Sequence, residues 1–424
     1  MKRKQPWTWI PGVYATEGIV SATVIYVALL MFVQLGASFV KSTLFVAALM
    51  LTSVIKWAFK WNPQRNPSLK AAMICMQALL FIAFVTAAFV IDGPNSKVES
   101  IFISIFVIAI LNAINEKLNA LYYNNILGRD EQRILGNYKF VSSQASFIIT
   151  YGILIIFVGT YEVFFRNFHL AWAMEFYVVA GVILLLMAIN AMMLDSPKPQ
   201  SEVVNVNFYK RAKNKKIFLR NLRFMTIIMV ILLPQSLLFC TRVFYFMEPI
   251  ANGGLGCTLQ EVGFVQGTIG IIAFITGQFA GQKIMRWFGS KKVLWIIIVA
   301  LVISPFFYIL LEMLEKPISI LKISTITFAS QISFGFGLNF CVIFIKRTTD
   351  AFDENILNLV HVPLVVIAMA PAIAISGLIA QYMPFNQFFI TVAALACFAL
   401  SFIIFNYRFI DRHILNYKKS KPIY

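Results

Sequence analysis

The stretch DSPKPQSEVVNVNFYKRAKNKKIFLRNLR, residues 195–223, interrupts an otherwise apolar chain of 424 residues. It contains Pro197 and Pro199 near its start, and Lys and Arg make up eight of its residues. Proline and clustered charge are typical of a linker rather than of a membrane-embedded segment. The stretch therefore predicts three parts, namely an N-terminal bundle at 1–194, a basic cytoplasmic linker at 195–223 and a C-terminal bundle with a tail at 224–424.

Apolar runs of about 20 residues, long enough to cross a bilayer as helices, occupy both sides of this linker. The chain is 60% hydrophobic and only 13% charged, whereas soluble domains carry roughly 25% charge. Inside lipid, a helix satisfies its own backbone hydrogen bonds. We therefore predict an all-α membrane protein with twelve transmembrane helices in two six-helix pseudo-symmetric halves. The predicted spans are 9–33, 37–59, 71–91, 99–122, 139–159, 172–194, 224–247, 259–281, 293–312, 323–345, 357–380 and 385–406.

Lys and Arg fall on alternate gaps between these spans. Of the 36 basic residues, 28 lie on the set of segments that includes both termini, and five lie on the other set. Because positive residues mark the cytoplasmic side, we expect both termini in the cytoplasm and the chain in a bacterial-type inner membrane. This distribution also accounts for the net charge of +18 without nucleic acid, which would need one continuous basic face.

The seven Trp lie near the ends of the predicted spans. Trp is enriched where a membrane meets water, since its ring is apolar and its N–H is polar. We expect these residues to form an interfacial belt.

Motifs for other kinds of chemistry are missing from the sequence. It contains no GxxxxGK[ST] phosphate-binding loop, no HExxH and no GxSxG, and it has only three His. We therefore expect no ATP-driven step, no enzymatic activity, no cofactor and no metal site. The expected partners are a small-molecule substrate, protons and the lipid bilayer, and we expect a monomer.

Two acidic residues, Glu17 and Glu116, lie within predicted spans 1 and 4. Ionisable groups are costly in a membrane, so each is a functional candidate. Burial favours the neutral form of a carboxyl group, so either residue could bind and release a proton. For Glu17 the alternative is a structural role, paired with Lys or Arg on another helix, and for Glu116 it is a polar seam between helices.

Polar side chains in the spans are the candidates for binding a substrate. Asn112, Glu116, Asn119 and Tyr123 fall within a narrow arc of one helix, which suits a hydroxyl- and amide-rich substrate or, alternatively, a polar seam between helices. Arg242 could hold an anionic substrate group or pair with Glu17 or Glu116. The expected substrate-binding residues are Tyr14, Asn112, Asn115, Asn119, Tyr123, Gln144, Gln235, Arg242, Tyr245, Gln331 and Asn339.

Several short segments resemble known transporter motifs. Residues 281–292, GQKIMRWFGSKK, resemble the loop signature of the major facilitator superfamily. Residues 14–19 (YATEGI), 51–57 (LTSVIKW), 113–116 (AINE) and 232–235 (LLPQ) are similar to motifs of the AmpG-type muropeptide permeases and related acetyl-CoA transporters. In that group Gln stands at the position of Glu17, and Asp at the position of Gln235.

The resemblance implies a secondary transporter in which two halves rock about a site near the midplane. Its substrate would be a muropeptide or a similar amphiphilic sugar-peptide, imported with protons. The alternative within this class is a permease or exporter for a siderophore, drug, cofactor or peptide. A membrane receptor would need a long outer loop, and a membrane transferase would need paired acids or His near the headgroups.

Overall fold

The structure, a computed structural model, describes residues 5–59, 68–94, 96–195, 215–349 and 354–410. Within these ranges the regular secondary structure is helical, and no strand occurs. The principal helices, labelled in chain order, are α1 Pro6–Gln34, α2 Phe39–Val54, α3 Leu69–Asp92, α4 Val98–Ile126, α5 Ile134–Phe165, α6 Phe168–Met193, α7 Lys215–Met247, α8 Leu259–Phe288, α9 Lys292–Glu312, α10 Ile320–Thr349, α11 Glu354–Tyr382 and α12 Phe385–Phe405. A short helix, Ile55–Ala58, continues from α2.

Ten of these helices, all except α2 and α10, contain a stretch long and apolar enough to cross a bilayer. Helix α2 is apolar but shorter, and α10 carries Ser, Thr and Gln along its middle. These helices confirm an all-helical, multi-pass membrane protein. The number of twelve spans, the inner membrane and the cytoplasmic termini stay predictions.

The predicted linker at 195–223 is only partly described. Residues 196–214 lie outside the described ranges, as do residues 1–4 and 411–424. From Lys215 onward the chain is already helical, because α7 begins there. Lys and Arg are good helix formers, and the candidate membrane-spanning part of α7 is Thr226–Met247, so the division of the chain at 195–223 stays a prediction.

The Trp residues do not all face the membrane–water boundary. Trp7 and Trp287 are 60% and 67% exposed, but Trp9 and Trp172 are 1% and 0% exposed. Trp9 packs edge-on against Tyr122, with ring centres 5.1 Å apart. The belt prediction was therefore wrong for Trp9 and Trp172, which fill the protein interior.

Helices α5 and α8, which lie on opposite sides of residues 196–214 in the chain, pack closely against each other. A Cβ added to Gly263 would lie 2.9 Å from the carbonyl oxygen of Gly152, and one added to Gly267 would collide with the Tyr151 carbonyl. Small residues allow such close approach of two helices. Gly263 and Gly267 thus serve helix packing in this α5–α8 seam.

A second seam joins α2 to α11. The Thr43 hydroxyl donates a hydrogen bond to the Ala374 carbonyl at 3.3 Å, and Phe39 stacks on Phe244 of α7 with ring centres 4.3 Å apart. Phe39 also lines, with Glu248 and residues 380–385, a surface depression of about 370 Å³. We call this end of the bundle the distal end, and the end where α1 begins the proximal end.

Three of the helices contain π-helical segments. They are Thr23–Val27 in α1, Ile148–Leu154 in α5 and Gly263–Gly270 in α8. A π segment rotates the side chains that follow it and is frequent at functional sites. Two of these segments contribute tyrosines to the region described below.

Candidate functional site

Glu116, in the middle of α4, is the centre of a buried polar network. Lys56 forms an ion pair with its Oε2, and the two side chains are only 7% and 15% exposed. Its Oε1 accepts hydrogen bonds from Asn112 Nδ2 at 2.8 Å and from Ser21 Oγ at 3.0 Å. The network joins α1, α4 and the segment after α2, and it supplies Glu116 with both a counter-charge and neutral donors.

Glu17 lies beside this network and is held differently. It accepts one hydrogen bond, from Asn119 Nδ2 at 3.3 Å. Lys56 and Lys139 lie close enough to interact with it electrostatically, but among the described residues neither forms an ion pair with it within 4 Å. Glu17 is therefore the acid of this region that no lysine contacts directly.

Lys139, near the start of α5, lies over two tyrosine rings. Its Nζ is 4.6 Å from the ring centre of Tyr14 and 5.6 Å from that of Tyr123. Such contacts stabilise a cation through the negative face of the ring. The region thus contains two acids, Glu17 and Glu116, and two lysines, Lys56 and Lys139. Their net charge is zero when all four side chains are charged.

The predicted stripe on α4 does share one face, and that face meets α1. Asn112 and Asn119 are bound to Ser21, Glu116 and Glu17 as described. Asn115 is fully buried, and neither amide atom has a hydrogen-bond partner among the described residues. These contacts are those of a polar seam between helices, the alternative to direct substrate contact, although Asn115 keeps unused donors and an acceptor.

Arg242, on α7, lies in a second polar region away from both glutamates. Its guanidinium interacts with the phenols of Tyr26, Tyr151 and Tyr308, and its Cζ is 5.4 Å from the ring centre of Phe239. Neither Glu17 nor Glu116 pairs with it, so the predicted ion-pair alternative is not realised in this structure.

Other residues predicted to bind a substrate lie apart from these two regions. Gln235 donates to the Leu301 carbonyl of α9 at 3.3 Å, and Asn339 donates to the Gln278 carbonyl of α8 at 3.3 Å. Gln331 is buried close to Gly270, and Gln144 is half-buried. The side chains of Gln235, Gln331 and Asn339 are thus placed at helix contacts.

Tyr245 belongs to a cluster at the distal end. Its hydroxyl donates to Glu312 Oε2 at 2.5 Å, and Lys316 Nζ pairs with the same oxygen at 2.9 Å. Lys316 also donates to the Gly253 carbonyl at 2.5 Å. The cluster ties α7, α9 and the loop after α7 together, so Tyr245 is engaged structurally.

Five residues of interest in the structure were not expected from the sequence, namely Lys139, Tyr26, Tyr151, Tyr308 and Glu175. Glu175, on α6, is 3% exposed, and neither carboxyl oxygen has a hydrogen-bond partner among the described residues. A charged residue inside an apolar run, the signal that marked Glu17, also marks Glu175. Nothing in the sequence distinguishes the three tyrosines from others in the spans, because only the fold brings them to Arg242.

Comparisons with known proteins bear on the fold. No protein-family model matches the chain, and no curated protein matches it significantly. Solved structures do match. The nucleoside transporter NupG is 13% identical, with 97% of this chain and 99% of that chain covered and a TM-score of 0.62.

Two further solved structures show the same likeness. The inward-open xylose transporter XylE from E. coli is 12% identical over 95% of this chain and 96% of that one, with a TM-score of 0.65. A mutant of the peptide transporter POT, in complex with sulfate, is 11% identical over 96% and 95%, with a TM-score of 0.68. The chain therefore shares the overall fold of these solved transporter structures.

Proposed function

We propose that the chain is a secondary active transporter that moves a small amphiphilic solute across the inner membrane by alternating access. The fold is shared with transporters of nucleosides, xylose and peptides. The α2–α11 and α5–α8 seams supply the contacts along which two six-helix halves, before and after the linker, would rock. Both termini would face the cytoplasm.

The proposed driving ion is the proton, and the proposed carrier of that proton is Glu17. Glu116 has Lys56 as its direct counter-charge, which stabilises its ionised form. Glu17 has one amide donor and two lysines at longer range. When Glu17 binds a proton, the two lysines exceed the acids by one charge, and the network then favours an incoming anion.

The proposed cargo is a muropeptide-like sugar-peptide, and the proposed direction is import. This proposal rests on the likeness of residues 14–19, 51–57, 113–116 and 232–235 to motifs of the AmpG-type group. Lys56, the basic residue of the second motif, is the counter-ion of Glu116 from the third motif. That pairing gives two of these motifs a shared structural role. The alternative is a major facilitator permease or exporter for a siderophore, drug, cofactor or peptide.

The test is uptake of a radiolabelled anhydromuropeptide into proteoliposomes that contain the purified protein. We expect accumulation when the outside is made acidic, and loss of that accumulation when a protonophore is added. Liposomes without protein give the background. Uptake that equals this background would contradict the cargo. Uptake that is uphill but insensitive to the protonophore would contradict the proton.

A further inference from the structure

Arg242 is a cation inside the protein that lacks a carboxylate partner among the described residues. Its Nε is buried and makes no hydrogen bond within that part of the chain. A buried charge without a counter-charge is strongly destabilising, so such a residue is retained where something else supplies the negative charge. The surrounding groups show what that could be.

The groups that face the guanidinium are phenols, and they come from both sides of the linker. Tyr26 lies in the π segment of α1 and Tyr151 in that of α5, whereas Tyr308 lies on α9. The rings of Tyr26 and Tyr151 are 4.8 Å apart. The hydroxyls of Tyr151 and Tyr308 are buried and make no hydrogen bond of normal geometry with another described residue.

All of these groups can donate hydrogen bonds, and none of them is a carboxylate. Guanidinium presents its donors in a planar fork that matches an oxyanion such as a carboxylate or phosphate. Tyrosine hydroxyls donate well to the same oxygens. The region thus combines one buried positive charge and unused donors with a missing acceptor.

We infer that Arg242, Tyr26, Tyr151 and Tyr308 form an anion-binding site between the two halves, which takes the carboxylate or phosphate of the solute. That the bound anion is part of a transported solute rests on the proposed function. The Phe239 ring beside Arg242 and Phe147 beside Tyr26, at 5.4 Å and 5.8 Å, offer apolar surface to the rest of an amphiphilic molecule.

Residues from both halves contribute to this site, and that placement gives it a mechanical consequence. Tyr26 and Tyr151 precede the linker, and Arg242 and Tyr308 follow it. A bound oxyanion would hydrogen-bond to both halves at once and would stabilise the arrangement in which they are close. The site would therefore bind its anion most tightly in the state where the halves meet around it.

The test is thermal unfolding of the purified protein in detergent with matched probes at equal ionic strength. The probes are N-acetylmuramic acid and N-acetylglucosamine, which share a sugar ring and differ by a lactyl carboxylate. Inorganic phosphate and acetate, each against chloride, test the two simple oxyanions. A ligand that binds only the folded state raises the midpoint of unfolding.

We expect N-acetylmuramic acid to raise the midpoint of the wild type and N-acetylglucosamine to leave it unchanged. N-acetylmuramic acid should no longer raise the midpoint of Arg242→Gln, which corresponds to an affinity that is weaker by about tenfold or more. Arg242→Lys should restore part of it. Lys283→Gln, which removes a cation that lies over the Trp287 ring, is the matched control and should respond as the wild type does.

Tyr151→Phe and Tyr308→Phe remove only a hydroxyl and keep the test available if Arg242→Gln does not fold. Each should weaken the response to the acid, or to phosphate if phosphate is the anion that binds. A wild type that responds to none of the anions, or variants that respond as strongly as the wild type, would overturn the site. Because this binding needs no transport, an anion response without anhydromuropeptide uptake into proteoliposomes would contradict the proposed cargo and keep the site. If Arg242→Gln leaves uptake unchanged, the anion site is refuted and the transport proposal is kept.

Discussion

The Lys56–Glu116 ion pair provides the sharpest thermodynamic prediction. The perturbation is a double-mutant cycle that consists of Lys56→Met, Glu116→Gln and the double variant. Removing one partner of a buried pair leaves the other charge uncompensated, which ordinarily costs about 3–5 kcal/mol. In contrast, removing both charges together leaves no uncompensated charge.

The structure places the cost of the single replacements slightly below that range, because each remaining charge keeps other polar neighbours. After Lys56→Met, the Glu116 carboxylate still accepts from Asn112 and Ser21. After Glu116→Gln, the Lys56 ammonium keeps Glu17 at longer range. We therefore expect each single variant to lose about 2.5 kcal/mol of unfolding free energy. The double variant should lose about 2 kcal/mol through altered packing and hydrogen bonds, so the coupling energy is about 3 kcal/mol.

The assay is equilibrium unfolding in mixed detergent micelles, followed by far-ultraviolet circular dichroism for all four proteins. The pair Lys41–Glu99, at 39% and 56% exposure of the two side chains, is a matched control on the surface. Its own cycle should give a much smaller coupling energy, because solvent screens an exposed ion pair. Equal coupling in the two cycles, or additive losses for Lys56 and Glu116, would refute the claim that a buried charge pair organises this region.

Three further predictions follow from other parts of the structure. Glu17→Gln should abolish proton-driven accumulation in proteoliposomes and spare solute exchange, because the amide cannot take up a proton; unchanged uphill uptake would remove Glu17 from the coupling. Gly267→Val should reduce uptake to about a tenth or less, since the new side chain collides with the Tyr151 carbonyl in the α5–α8 seam. The control variant Gly181→Val, in which no atom lies near the added Cβ, should transport normally. Glu175→Gln should change the unfolding free energy by less than about 1 kcal/mol, because no cation or donor among the described residues contacts its carboxyl group; a large destabilisation in the same micelle assay would reveal a partner.

The membrane-spanning helices could be predicted from the sequence because hydropathy and length report directly on burial in lipid. Helix α4 illustrates this success, since its predicted bounds of 99–122 fall within Val98–Ile126. Helix α7 begins at Lys215, ahead of the predicted span at 224–247, because basic residues are compatible with a helix outside the apolar stretch Thr226–Met247. Trp9 was misread, since composition does not distinguish an interfacial ring from a buried one.

The candidate site could be predicted only in part. Helical periodicity correctly grouped Asn112, Glu116 and Asn119 on one face, but it does not reveal which helix that face meets. Lys56 is 60 residues away from Glu116, and Tyr308 is farther still from Tyr26 along the chain. Such pairs depend on how the helices pack, and the π segments that place Tyr26 and Tyr151 have no signal in the hydropathy pattern.

Alternating access requires the two halves to move relative to each other, and distances between paired spin labels measure that movement directly. Cysteines at Ser100 and Gln387 place labels on exposed positions near the distal end, and cysteines at Tyr138 and Lys292 place them near the proximal end. Pulsed electron–electron double resonance in lipid nanodiscs would measure the distance within each pair of labels. The measurement would be made in alkaline and in acidic buffer, for the wild type and for Glu17→Gln. We expect one of the two distances to lengthen while the other shortens on acidification. In Glu17→Gln both distances should equal those of the wild type in acidic buffer, at either pH. Two distances that stay constant, or that lengthen together, would contradict alternating access.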